Sequence, residues 1–152
     1  MECSPLYRQA ANMKKSLLDQ GYLDEQFHQL EELQDDLSPN FVEEVVTLFF
    51  RDSARLIAGI DQALEKTPRD FQRLDGFIHQ LKGSSSSIGA AKVKNECSAF
   101  QDHCNQGSTE GCLRSFKRVK REHAALRQKL ENYLQVLRQV SPSPMKAAVR
   151  PK

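Results

Sequence analysis

The chain of 152 residues contains no tryptophan and few cysteines. The four cysteines, Cys3, Cys97, Cys104 and Cys112, show no Cys-x-x-Cys spacing, and three of them fall on apolar helical positions, where free thiols behave as small hydrophobes. No stretch approaches the ~18 consecutive apolar residues of a membrane span. The N-terminus lacks a basic segment followed by an apolar run, so no secretory signal is predicted. We therefore expect a soluble, reduced, intracellular protein.

The chain also lacks a strong excess of either charge. Its 22 Lys and Arg residues nearly balance 20 Asp and Glu residues, which argues neither for nor against nucleic acid. The distribution is less even: residues 16–50 hold nine acids and no Lys or Arg, whereas residues 114–129 hold seven bases and one acid. This pattern indicates either an oriented electrostatic surface or a solvated helix face.

Apolar residues recur at helical spacing through most of the chain, and no segment has the pattern of a strand. We predict an all-α protein: an antiparallel four-helix bundle preceded by two shorter N-terminal helices that cover one end. The predicted domain spans residues 1–140, with the short helices at about 4–36 and the bundle at about 38–140. Residues 141–152 have neither periodicity nor apolar mass, so a disordered tail is expected there.

Short signals predict where the bundle helices begin and end. Ser38 is a predicted N-cap with Pro39 at the first helical position, and Thr67 and Pro68 repeat this signal before the next helix. Gly89 is expected to separate that helix from the following one.

The stretch "FIHQLKGSSSSIGAAKV" places one histidine on the polar side of a helix. His79 lies roughly 140° from the middle of the apolar stripe that contains Ile78 and Leu81, so its ring should face solvent. Gly76 and Gly83 flank it, and each costs about 1 kcal/mol relative to alanine in a helix. Two interpretations stay open: clearance for a partner's surface, or glycines that serve helix packing beside an incidental histidine.

The motif "HQLKGSSSSIGA" resembles the phosphoacceptor signature of plant histidine-containing phosphotransfer proteins. The similarity extends through "VVTLFFRDSARLI" and covers most of the chain, from about Leu6 to Leu137. One departure is Ser86, where the family pattern implies alanine. Some relatives in this family lack the histidine and cannot carry phosphate, whereas this chain keeps His79.

The resemblance implies a phosphorelay carrier rather than an enzyme. His79 would accept a phosphoryl group from the receiver aspartate of a hybrid histidine kinase and pass it to the aspartate of a response regulator, in cytokinin signalling. The implied locations are cytoplasm and nucleus. No cofactor is expected in this chain, since Mg²⁺ would sit on the partner receiver domain. A monomer without nucleic-acid or membrane partners is expected.

Lys82, one turn after His79, would attract the phosphate oxygens with its positive charge. Phosphoryl transfer depends mainly on positioning and charge neutralisation, so few further groups are needed. The expected docking residues surround the histidine on its helix: Asp75, Gly76, Gln80, Gly83, Ser84 and Ser86. The run Ser84–Ser87 is expected to cap or line the end of this helix.

Other functions are weaker alternatives. The bundle could be a scaffold or adaptor without phosphotransfer, binding anionic partners through residues 114–129. An enzyme with His79 as a general base lacks a second catalytic group. The serine run lacks the strand and the lysine–Ser/Thr ending of a phosphate loop. Glu25 and His28 match one half of a di-iron motif, which needs two copies, so no metal site is predicted.

Overall fold

Six α-helices make up most of the computed structural model, which describes residues 5–66 and 70–140. In chain order they are Pro5–Asp19 (α1), Glu25–Leu33 (α2), Phe41–Glu65 (α3), Phe71–Ile88 (α4), Ala91–Asn105 (α5) and Thr109–Val140 (α6). The described ranges contain one isolated bridge, between Asp35 and Ser38, and no strand. None of the helices in these ranges is long and apolar enough to cross a membrane. The all-α prediction is confirmed.

The long helices α3 to α6 form the bundle, in which each packs against the next. Helices α3 and α6 also meet and run antiparallel, since Asp61 pairs with Lys120 and Glu43 pairs with Arg138. At the end where α4 stops, α2 packs on α3 and α4, while α1 packs on α6. The predicted bundle with two shorter N-terminal helices at one end is therefore confirmed.

The helix boundaries correct one prediction and add a cap. Helix α3 begins at Phe41 after Asn40, not at Ser38 and Pro39. Instead, the Asp35 carboxylate accepts the backbone N–H groups of residues 37 and 38, which holds this segment in a turn. Thr67 and Pro68 lie outside the described residues, and α4 starts after Asp70, whose carboxylate accepts the N–H of Arg73 at 3.0 Å. The predicted tail, 141–152, also lies outside the described residues, so the division into bundle and tail stays a prediction.

Gly89 ends α4 as predicted, because its φ of 77° lies in the left-handed region that favours glycine. The Gly89 carbonyl accepts the N–H of Asp24 at 2.9 Å, and the Tyr22 carbonyl accepts the N–H of Ala91 at 3.1 Å. The chain before α2 is thus bonded to both sides of the joint between α4 and α5.

One hydrophobic cluster fills the bundle and includes the helical stripes expected from the sequence. The α5 residues Val93, Cys97, Phe100 and Cys104 are buried in this cluster, as is Cys112 of α6, and none of these cysteines forms a disulfide within the described residues. Burial raises the pKa of Cys97 to about 12, partly opposed by the Lys82 charge. These thiols therefore act as small apolar groups, as predicted, whereas Cys3 lies outside the described residues.

His123 is buried in α6 among the apolar residues of that helix. Its Nε2 and the Ser53 hydroxyl on α3 form a hydrogen bond of 2.7 Å, and the rings of Phe49 and Phe50 lie against it. Burial lowers the pKa of His123 from its ordinary 6.5 to about 4, and the Arg127 guanidinium acts in the same direction. A neutral imidazole is thus part of the folded core.

We expect His123 to make the fold sensitive to acid. Its pKa is lower in the folded state, so the unfolded chain takes up the proton first and stability falls as the pH drops from about 6.5 towards 4. The loss is at most about 3 kcal/mol, at about 1.4 kcal/mol per pKa unit. Urea unfolding between pH 4.5 and 7.5 measures it. His123→Gln should flatten this slope relative to the native chain, and His28→Gln, at a partly exposed histidine, should not. Equal slopes for all three proteins would contradict this assignment.

Candidate functional site

The candidate site is the outer face of α4. Leu74, Ile78 and Leu81 are fully buried against the bundle, and this fixes the rotation of the helix about its own axis. His79 therefore points away from the core and is exposed, as the sequence predicted. It lies near the middle of an 18-residue helix, so neither helix end contributes to its surroundings.

The two glycines beside His79 face open space. A Cβ atom built on Gly76 or on Gly83 would meet nothing within 4 Å. Gly59 on α3 differs, because a Cβ there would come within 3.0 Å of the Phe77 ring. Close packing of α3 on α4 thus depends on Gly59, and the packing explanation for Gly76 and Gly83 is not supported. Sequence reasoning missed Gly59, which carries no local signal that distinguishes it from the other two.

Lys82 is half-buried between α4 and α5. Its Nζ donates a hydrogen bond of 3.2 Å to the Gln101 side-chain carbonyl on α5. The same ammonium group opposes the rise in the pKa of the buried Cys97 thiol, which places its charge close to α5. Gln101 was missed in the sequence, because a polar residue on the next helix gives no sign of which α4 residue it contacts.

The expected docking residues do not all share one face. Gly76, Gly83 and Ser86 lie within about 60° of His79 around the helix, and all three are exposed. Gln80 is exposed but about 100° away.

One expected docking residue faces away from the histidine, and another lies near it on the side towards α5. Ser84 is half-buried and about 140° from His79, so it belongs to another side of α4. Asp75 precedes His79 by four residues, lies about 40° from it around the helix, and is half-buried. The pKa of the Cys104 thiol on α5 is raised mainly by burial and by its contact with Cys112. The negative charge of Asp75 adds a smaller effect in the same direction.

The serine run is helical throughout and lies before the end of α4. Ser85 is fully buried, and its hydroxyl has no hydrogen-bond partner in the described structure. The Ser87 hydroxyl donates to the Gly83 carbonyl at 3.1 Å, within the helix. These serines therefore line the end of α4 as expected, whereas the left-handed residue that ends it is Gly89.

Three of the seven bases of residues 114–129 lie within 4.0 Å of acids of the same chain. Arg118 bonds Glu96 at 3.1 Å, Lys120 bonds Asp61 at 3.2 Å, and Arg114 lies 4.0 Å from Glu110. Among the described residues, no group of three or more His, Cys, Asp and Glu side chains is arranged to hold a metal ion. The exposed histidine face thus remains the strongest candidate site.

Comparisons with known proteins agree with this geometry. A family model described as "Hpt domain" matches residues 44–139. The chain belongs to the Hpt-domain family of histidine-containing phosphotransfer proteins. It is 65% identical over 116 residues to "Histidine-containing phosphotransfer protein 4" of Arabidopsis thaliana, covering 76% of this chain and 91% of the relative. The crystal structure of the phosphotransfer protein MtHPt2 from Medicago truncatula has a TM-score of 0.86 at 40% identity, covering 97% of both chains.

Another similar relative has a name that raises a question about the histidine. The chain is 64% identical over 142 residues to "Pseudo histidine-containing phosphotransfer protein 2" of Oryza sativa subsp. japonica, covering 93% of this chain and 94% of the relative. Hpt proteins act in phosphorelays with histidine kinases and response regulators. This chain is about equally similar to a relative named as a phosphotransfer protein and to one named as a pseudo phosphotransfer protein. Whether His79 carries phosphate therefore has to be decided by substituting this residue.

The open space at Gly83 gives a test of clearance on the histidine face. Gly83→Ala and Gly83→Leu should each stabilise the fold by about 0.5–1 kcal/mol, because helix propensity rises and no atom is displaced. Only the leucine variant should transfer phosphate more slowly, by roughly tenfold or more, because its side chain blocks the partner's approach. A loss of about 1.4 kcal/mol of transition-state stabilisation is enough for a tenfold slower rate. Urea unfolding and transfer from a phosphorylated receiver domain measure the two effects. Normal transfer by the leucine variant would show that no partner surface approaches this position.

Proposed function

We propose that this protein carries phosphoryl groups on His79 between two receiver aspartates. The observation that supports this proposal is the exposed histidine between two glycines with open space above them, in a chain of the Hpt family. The donor is the receiver domain of a hybrid histidine kinase, and the acceptor is the receiver domain of a response regulator. We further propose cytokinin signalling as the pathway and both cytoplasm and nucleus as its locations.

The transfer needs one free imidazole nitrogen. A bond forms between that nitrogen and phosphorus while the bond from phosphorus to the donor aspartate oxygen breaks, and the aspartate leaves as a carboxylate. The second transfer reverses this exchange with another aspartate. Histidine suits this role because an unperturbed imidazole is largely neutral near pH 7. No water takes part, so the protein is a carrier and not a hydrolase.

Lys82 supplies positive charge one turn from His79. Its hydrogen bond to Gln101 restrains the ammonium group, so less side-chain freedom is lost when it meets a phosphate. A phosphoryl group bears charge on three oxygens, and a nearby ammonium group stabilises that charge. The Mg²⁺ ion belongs to the partner receiver domain in this proposal. The protein acts as a monomer, so one α4 face serves both partners in turn.

The alternative is a helical scaffold that binds partners without carrying phosphate. Its proposed anion-binding surface, residues 114–129, is weakened as a candidate because several of its bases already pair with acids of the same chain. Phosphate transfer itself separates the two functions, since a scaffold would bind a phosphorylated receiver domain and leave its phosphate in place.

We expect a phosphorylated receiver domain to label this protein with acid-labile, alkali-stable phosphate. His79→Gln should abolish labelling and change the free energy of unfolding by no more than about 0.5 kcal/mol, because the side chain is exposed. The matched control is His28→Gln, at another histidine outside the core, which should keep full labelling. Labelling of His79→Gln would disprove the site, and an unlabelled native protein would favour the scaffold.

Replacing Lys82 should slow transfer in a salt-dependent way. Lys82→Ala should reduce the transfer rate roughly tenfold at low ionic strength, with a smaller reduction as salt screens the charge over about 8 Å. Lys117→Ala, at an exposed lysine on α6, is the matched control and should stay within about twofold of the native rate. A transfer series from 20 to roughly 500 mM salt measures both. Greater damage from the Lys117 substitution would mean that partners dock on another surface.

A further inference from the structure

A solvent-open groove between α1 and α6 has a volume of about 580 Å³ and lies on a part of the protein distinct from the histidine face. This volume is within the range of small-molecule sites in proteins. Leu17, which is buried, and Met13, which is half-buried, give the groove an apolar bottom. Side chains with amide or hydroxyl groups make up most of the remaining lining, together with Arg8 and Lys129.

The groove has positive charge and, among the described residues that line it, no acid. The other two bases of α1 are neutralised, since Lys14 bonds Glu31 and Lys15 bonds Asp19, both at 2.7 Å. Arg8 has no such ion pair with any described residue. Basic side chains left without a carboxylate beside a cavity attract anions.

Two ammonium groups meet at one aromatic ring beside this groove. Lys129 Nζ lies 4.9 Å from the centre of the Tyr22 ring, and Lys92 Nζ lies 3.9 Å from it. Neither lysine forms an ion pair within the described ranges, so the ring is the contact that holds them. Lys129, which lines the groove, therefore contributes a positive charge that no carboxylate of a described residue neutralises.

A second groove, of about 570 Å³, is lined by both acidic and basic side chains and serves as a comparison. It is lined by residues that include Glu43, Glu44 and Leu48 on α3 and Arg138 on α6. Arg138 pairs with Glu43 at 2.9 Å, so its charge already has a partner. The volumes are nearly equal, and only the α1–α6 groove holds bases without acids.

We propose that the α1–α6 groove binds a small amphipathic organic anion. The apolar body of the ligand lies on Met13 and Leu17, and its anionic group meets Arg8 and Lys129. Ser16 accepts a hydrogen bond from Gln20 at 2.8 Å, which leaves its own O–H free to donate to the anion. This binding is independent of His79 and of phosphotransfer.

Binding should also secure α1. This helix makes its main helix contact with α6, so it depends on few neighbours. Elements with few packing partners open locally at a low free-energy cost, and a ligand that contacts both helices raises that cost. Hydrogen exchange of the α1 amides therefore reports on binding at this groove separately from the affinity.

The probe is 8-anilinonaphthalene-1-sulfonate, which joins an aromatic body to one sulfonate, titrated against the native protein by fluorescence. We expect saturable binding at one site, slower hydrogen exchange in residues 5–19, and at least about tenfold weaker binding to Arg8→Gln/Lys129→Gln. The matched control, Lys117→Gln/Arg121→Gln, removes two exposed charges from α6 and should bind normally. The neutral analogue N-phenyl-1-naphthylamine should bind both variants equally, because it lacks the anion.

Three results would overturn the proposal. The first is the absence of saturable binding, and the second is an equal loss of affinity in the groove variant and the control variant. The third is slower hydrogen exchange elsewhere in the protein with no change in the α1 amides. Arg8→Lys/Lys129→Arg keeps both charges and should retain binding within about threefold. If this conservative variant loses binding as fully as the glutamine variant, charge is not what the groove recognises. A melting curve of each variant verifies that the compared proteins are folded.

Discussion

The burial of one apolar stripe on α4 is the constraint on which the functional face depends. Leu74, Ile78 and Leu81 have no exposed surface, and burying each such side chain contributes about 1.5–3 kcal/mol. A helix turns about 100° per residue, so fixing these three side chains fixes the direction of every other one. His79 and the two neighbouring glycines face outward because rotating α4 to hide them would expose the stripe.

The sequence predicts which side of a helix is buried and which is exposed, but it does not predict side-chain contacts between two helices. The exposure of His79 follows from spacing alone, and so does the burial of Ile78 and Leu81 on the apolar stripe of the same helix. The contact between Lys82 and Gln101 depends on how α4 and α5 are aligned, which spacing within either helix does not encode. The start of α3 was misplaced because the Asp35 carboxylate bonds the following turn, a competing local interaction that outweighs the Ser–Pro signal.

Helix α4 is a poor helix by its own composition. Gly76, Gly83 and four consecutive serines all have lower helix propensity than alanine, and the buried Ser85 hydroxyl lacks a partner. The helix nevertheless spans 18 residues, because α3 and α5 pack on it along its length. Tertiary packing thus stabilises a segment of low helix propensity, in which the exposed Gly76, Gly83 and Ser86 give the histidine face small residues. Such a conflict between local preference and fold is typical of functional sites.

The tight packing at Gly89 limits how far α4, which carries the histidine face, can move when another protein approaches. A Cβ on Gly89 would lie 2.5 Å from the Asp24 carboxylate and 2.6 Å from the backbone nitrogen of Phe27, so α2 is pressed directly against the joint between α4 and α5. A joint with no spare volume cannot act as a hinge. The face of α4 is therefore preorganised on this side of the joint. This chain therefore loses little conformational entropy when another protein docks on α4.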